Sequence, residues 1–352
     1  MKRVEHVDLL RAIGILLMVM GHVGFGPEFN HWIHIFHMPM FFIISGYFYK
    51  PQSFGMMLKK RFATLLFPYL VFGLFHVGLY FLYMRAFDPH AFYLLFWENT
   101  AETGVPIAGA LWFLTAMFFA EILFWAIQNL KLPLLWETAV AALVAVTGMA
   151  LAAYLPFRLP WALDASMTGI GLYQIGKLLK TKGEKLLELN WMLSLLGVIL
   201  FSILGMINGY VNLREGTFGY WPLFWIDAVG MTISLWSLCR WICERAGKEK
   251  AREKGSAREK ENVREKENAQ EKGSTERKGG TPNRMALIYG IGRDSIVWLC
   301  LNQVVVLAVA MVAGFIFHEP TGITFYLVHL GIFLISVVCL VIAQMIIMNT
   351  FF

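Results

Sequence analysis

Apolar runs of about 20 residues recur along the chain and are separated by short polar stretches, the pattern of helices that cross a bilayer. Ten such runs fall at approximately 8–25, 32–49, 64–84, 108–128, 134–155, 161–179, 190–210, 221–243, 285–317 and 323–348. The connections form two sets. One is poor in basic residues: Arg85 with Asp88, Glu98 and Glu102; Arg158; Arg214 with Glu215; His318 with Glu319. The other holds Lys50, Lys59, Lys60 and Arg61, then Lys131, then Lys177, Lys180, Lys182 and Lys185, then a long basic segment. Lys and Arg collect on the cytoplasmic side of membrane proteins, so both termini are expected in the cytoplasm. The expected fold is all-α: a polytopic membrane protein of about ten transmembrane helices.

Residues 246–284 break the pattern. They hold twelve Lys/Arg against eight Glu, a net +4, with no aromatic residue and with REK at 252–254, 258–260 and 264–266. Such a segment has too little apolar surface to bury a core. It reads as a cytoplasmic linker with some capacity for transient helix and for attraction to anionic headgroups. The chain thus divides into residues 1–245, the linker 246–284, and 285–352, which completes the same membrane domain.

Composition agrees. Hydrophobic residues make up 58% and charged residues 15%, which excludes an ordinary soluble domain. The net charge of +6 lies largely in loops that set topology, so it is no signature of nucleic-acid binding. The opening MKR before an apolar run imitates a signal peptide, but no small-residue cleavage site follows. Cys239, Cys243, Cys300 and Cys339 lie in apolar surroundings and read as buried thiols, and no metal site is expected. Tryptophan and tyrosine at span edges form the usual interfacial belt. The GIG phrases at 169–171 and 290–292 read as close packing or turns, not as a dinucleotide site.

The most informative stretch is the first span. Arg11 and His22 stand eleven residues apart, almost three turns, so they share one helix face about 16 Å apart along the axis. Asp8 lies one turn before Arg11 and can pair with it, and Met18 lies between Arg11 and His22 on that face. An elongated ligand could touch both ends of this stripe. The second span opens with His31, His34 and His37, which at three-residue spacing fan over about 120° and do not converge on a metal. Ionisable groups in a membrane usually face a cavity or a partner.

Arg11 to His22, followed by HMPMFFIISGYF from His37 to Phe48, resembles the acyltransferase 3 family of integral-membrane O-acyltransferases, with the fucose O-acetylase-like branch as the nearest flavour. The phrases LWFL (111–114), LPWALDASMTGIGLYQIG (159–176) and IGRDSIVWL (291–299) look similar too, so the resemblance spans nearly the whole chain apart from the charged segment. It implies transfer of an acyl group, typically acetyl, from acyl-CoA to a hydroxyl of a carbohydrate or other envelope polymer. Acetyl-CoA would be a donor substrate, with no permanently bound cofactor, and the protein would sit in the plasma (inner) membrane. Two departures stand out: Thr64 occupies the second position of the family's R-x-x-R, which begins here at Arg61, and Asn302 stands where members often carry histidine.

Acyl transfer from a thioester needs a base or an acyl acceptor, a donor to the oxyanion, and positive charge for the CoA phosphates. His22 is the candidate base or transient acyl-imidazole, and the sequence leaves both routes open. Arg11, with Lys59, Lys60 and Arg61, is the candidate phosphate contact; the plainer reading is topological charge, with Arg11 paired to Asp8. His37 is the candidate to bind the acceptor or to assist the oxyanion, against a plain interfacial histidine. Ser45 is a weaker candidate, since it lacks a G-x-S-x-G context and Ser45-Gly46 reads better as close helix packing. Glu121, Asp164, Gln174, Asp227, Asn302 and Gln303 are polar positions within spans, some of which should line a cavity. Two rivals remain: a transporter or flippase for glycan or lipid-linked sugar, and a non-catalytic sensor on the same scaffold.

Overall fold

The computed structural model describes residues 4–98, 106–268, 285–317 and 320–351. The helices are α1 (Glu5–Val23), α2 (Pro27–His34), α3 (His37–Tyr47), α4 (Phe54–Arg61), α5 (Phe67–Met84), α6 (His90–Tyr93), α7 (Trp112–Asn129), α8 (Leu134–Tyr154), α9 (Leu163–Thr181), α10 (Trp191–Ile207), α11 (Trp221–Asn268), α12 (Ala286–Arg293), α13 (Ser295–Ile316) and α14 (Gly322–Phe351). A two-stranded antiparallel hairpin, β1 (Val211–Asn212) with β2 (Thr217–Phe218), joins α10 to α11.

Every expected span is helical, and among the described residues seven helices are long and apolar enough to cross a membrane. The protein is an all-α polytopic membrane protein. α10 is equally apolar but has 17 residues. The second expected span divides at residues 35–36, so that α3 has only 11 residues. The ninth divides at Asp294, between α12 and α13. α9 is long but polar, with Asp164, Ser166, Thr168 and Gln174 buried. It can carry them because α3, α7 and α8 pack around it and shield it from lipid.

The centre of the molecule is α1, α3, α7 and α9. α1 packs against α3, α11, α12, α13 and α14, and most of its apolar side chains are buried. α3 and α9 cross with their backbones in contact: a β-carbon on Gly176 would stand 2.1 Å from the Ile43 carbonyl oxygen. α12 meets α1 in the same way, since a β-carbon on Gly292 would stand 1.8 Å from the Asp8 carbonyl oxygen. Small residues thus bring backbones close where no hydrophobic force drives helices together in lipid. Both GIG phrases lie inside helices.

α11 runs on from its membrane part into the charged segment as far as Asn268; residues 269–284, Glu102, His318 and Glu319 lie outside the described residues. All four cysteines are free thiols.

Candidate functional site

Gly24 ends α1 in the left-handed conformation at φ 88°, donating its N–H to the Met20 carbonyl just past His22. Pro27 then opens α2, so the chain reverses within three residues. This turn sets His31 and His34 beside the end of α1. A second bend after Ile33 starts α3 at His37. The end of α1, α2 and the start of α3 therefore converge on one cavity of about 340 Å³.

His22, His34 and His37 all line it. His22 is open to the cavity, whereas His37 is only 4% exposed. Their hydrogen bonds differ. His34 Nδ1 lies 2.7 Å from the Asn30 carbonyl oxygen, and His37 Nδ1 lies 2.6 Å from that of Ile33. His22 Nδ1 instead faces the side-chain amide nitrogen of Gln303 at 3.4 Å. The same amide's oxygen accepts the Ala110 N–H at 3.0 Å. The rings of His34 and His37 meet edge to face at 5.0 Å.

The hairpin forms the opposite wall. Asn212 accepts the Arg214 N–H at 3.0 Å and the Glu215 N–H at 3.4 Å, closing the turn that aims both residues at the cavity. The Asn212 amide donates to the Tyr210 hydroxyl at 3.2 Å. His31 Nε2 donates to the Gly209 carbonyl at 2.8 Å and ties the hairpin to α2. Burial draws the Arg214 guanidinium down to about 10, with Glu215 opposing the shift and Arg158 adding to it. Burial raises the Tyr210 hydroxyl. Gly109 leaves room where Arg214 and Gln303 meet: a β-carbon there would lie 2.8 Å from Arg214 Nη1 and 3.0 Å from Gln303 Nε2. Met18, Met38, Trp112 and Leu213 supply the larger apolar side chains of the lining.

Of the residues given a site role in the sequence, His22 and His37 share this cavity, whereas Arg11, Ser45, Lys59, Lys60 and Arg61 lie outside it. Arg11 sits near the other end of α1, 3.9 Å from Asp8. Lys59 and Lys60 are exposed at the end of α4. Arg61 makes a 2.9 Å ion pair with Glu121, whose other oxygen accepts the Tyr173 hydroxyl at 3.1 Å. Ser45 lies near that group, about 12 Å along α3 from His37. Among the intramembrane polar positions, Gln303 reaches the cavity. Asn302 is buried beside it with its amide bonded to the Trp298 and Leu299 carbonyls, and Asp164 pairs with Arg158 at 2.5 Å. The sequence assigns no site role to Asn30, Tyr210, Asn212, Arg214 or Glu215: Asn30 lies in the short first connection, Tyr210 ends a span, and the other three lie in a connection that reads only as poor in basic residues. The signal available was NLREG between two aromatic-flanked segments, a hairpin turn. Among the described residues no three His, Cys, Asp or Glu side chains converge as a metal site requires.

A family model for the acyltransferase domain, acyltransferase 3, matches residues 4–248, which include the three cavity histidines and the whole hairpin. The chain belongs to the acyltransferase 3 family. It is thus a multi-pass membrane acyltransferase, with α12 to α14, and so Gln303, contributed from beyond the matched region. The chain matches no curated protein and no solved structure.

Proposed function

We propose that this acyltransferase moves an acyl group, acetyl in the first instance, from acyl-CoA to a hydroxyl of an envelope or exported carbohydrate in the plasma (inner) membrane. The observation that carries the reading is the lining of the cavity. Three imidazoles, the amides of Asn30, Asn212 and Gln303, and the rings of Trp112 and Tyr210 surround about 340 Å³. Closely set donors and acceptors with aromatic faces suit a ligand rich in hydroxyls. Imidazoles there can hold and move the protons that acyl transfer requires.

Arg11 supports the donor side of the reading. It lies about 16 Å from His22 along α1, a distance that the flexible arm of acyl-CoA can cover with its phosphates at the Arg11 end. Lys59 and Lys60 are exposed and free to attract phosphate from the same side, whereas Arg61 is engaged by Glu121.

The test uses membranes containing the wild type or His22→Ala, acetyl-labelled CoA and an envelope-glycan extract. Label should pass to glycan with the wild type and fall by about 10²-fold or more with His22→Ala. No transfer by folded wild type across a broad acceptor panel would remove the reading. Equal transfer by both would keep an acyltransferase and exclude His22 from its chemistry.

A further inference from the structure

The hydrogen bonds around the three cavity histidines fix which ring nitrogen each can use. A neutral imidazole has one N–H donor and one lone-pair acceptor. A carbonyl oxygen only accepts, so the contacts of His34 Nδ1 with Asn30 and of His37 Nδ1 with Ile33 place the proton on Nδ1 in both rings. Their Nε2 atoms carry the lone pair. Around His22 the logic reverses. The Gln303 amide is oriented by the Ala110 N–H, which only donates and so takes the oxygen. The amide nitrogen therefore faces His22 and donates to Nδ1, which puts the His22 proton on Nε2.

From this pattern we infer a division of labour: His37 Nε2 is the base that takes the acceptor hydroxyl's proton, and His22 Nε2–H is the donor that holds the thioester carbonyl oxygen. The inference rests on the acyl-transfer reading and assigns roles within it. As the acceptor O–H gives its proton to His37 Nε2, the oxygen bonds to the thioester carbon, and the carbonyl oxygen becomes an oxyanion held by His22. Collapse breaks the C–S bond. The leaving thiolate takes the proton back from His37, which yields ester and free CoA thiol. Gln303 is then a positioning residue that keeps His22 in the donor tautomer, as outer partners of functional histidines commonly do. His34 from α2, His22 from α1, Tyr210 before β1, and Arg214 and Glu215 from the hairpin are the titratable groups that line the cavity with His37.

Two measurements test the assignment. The first needs no turnover. Nitrogen-15 spectra of the full-length protein labelled at histidine, assigned by single His→Gln substitutions, should show the His22 proton on Nε2 and the His37 proton on Nδ1. A His22 proton on Nδ1 would overturn the proposal. The second follows transfer from labelled acetyl-CoA to the glycan extract. His22→Gln keeps an N–H donor but has no basic nitrogen, so it should transfer about tenfold or more above His22→Ala and keep the wild-type loss of rate in acid. His37→Gln should lose about 10²-fold or more, and its residual rate should no longer fall in acid. The reverse pattern, with His22→Gln as inactive as His22→Ala and His37→Gln active, would return the base to His22. Absence of transfer by wild type would defeat the acyl-transfer reading, while the spectra would still judge the tautomers.

Discussion

Gly46 on α3 faces the Tyr173 carbonyl on α9 so closely that a β-carbon on Gly46 would stand 2.0 Å from the oxygen. The obstacle is backbone, which cannot swing aside as a side-chain end can. Gly46→Ala should therefore push two central helices apart and cost at the upper end of about 1–3 kcal/mol. The thermal unfolding midpoint of detergent-purified protein checks this, with Gly55→Ala as control because nothing lies within 4 Å of the β-carbon it adds. Equal midpoints for the two variants would mean that α3 and α9 do not meet in this way.

That crossing also marks what the sequence could disclose. Ser45-Gly46 reads as close helix packing from its small residues alone, and the contact is there. His22 and His37 could be placed near one end of adjacent helices by counting turns, and they do share a cavity. The partners of those histidines are not legible in the sequence. Gln303 reaches His22 across 281 positions of sequence, and no local pattern encodes a contact of that range. Arg214 is a plain loop arginine until the hairpin turns it inward. α9 fails the apolarity expected of a lipid-facing span because its neighbours cover it, a fact that exists only after packing. Arg61 looks like a free cation until Glu121, 60 positions away, is seen beside it.

Gly109 separates site geometry from fold. The atoms that a β-carbon there would meet, Arg214 Nη1 and the Gln303 amide, are ends of flexible side chains. Gly109→Ala should displace both with little effect on the fold, within about 1 kcal/mol, and reduce transfer by about 10²-fold. Parallel measurement of melting and label transfer checks this. A large loss of stability with transfer per folded molecule unchanged would contradict it.

Asp227 on α11 is fully buried, and neither of its carboxylate oxygens has a hydrogen-bond partner. A buried polar group left unpaired costs about 1–3 kcal/mol, so the similar-sized apolar replacement Asp227→Leu should stabilise the protein by about that amount. The thermal midpoint in detergent should rise. A fall would show that the carboxyl is held by a partner and that its burial is favourable.

His34 gives the fold a dependence on acid. Burial lowers its pKa below the ordinary 6.5; the Asn30 carbonyl opposes this, and neighbouring His31 adds to it. The groups facing it from other elements are His22 on α1, His37 on α3 and Tyr210 before β1. Near pH 7.5 the ring is mostly neutral in both the folded and the unfolded chain. As the pH falls through about 6.5, the unfolded chain takes up the proton first, so the unfolded state binds more protons and stability declines. The contribution is fully present above 6.5 and is lost in acid down to the lowered folded-state value. Replacing His34 by glutamine keeps a side-chain N–H for Asn30 but removes the titration. Unfolding midpoints of wild type and His34→Gln, compared between about pH 7.5 and about pH 5, should therefore show a smaller acid loss for the variant. An equal or larger loss would mean that His34 charges as readily in the fold as in the unfolded chain.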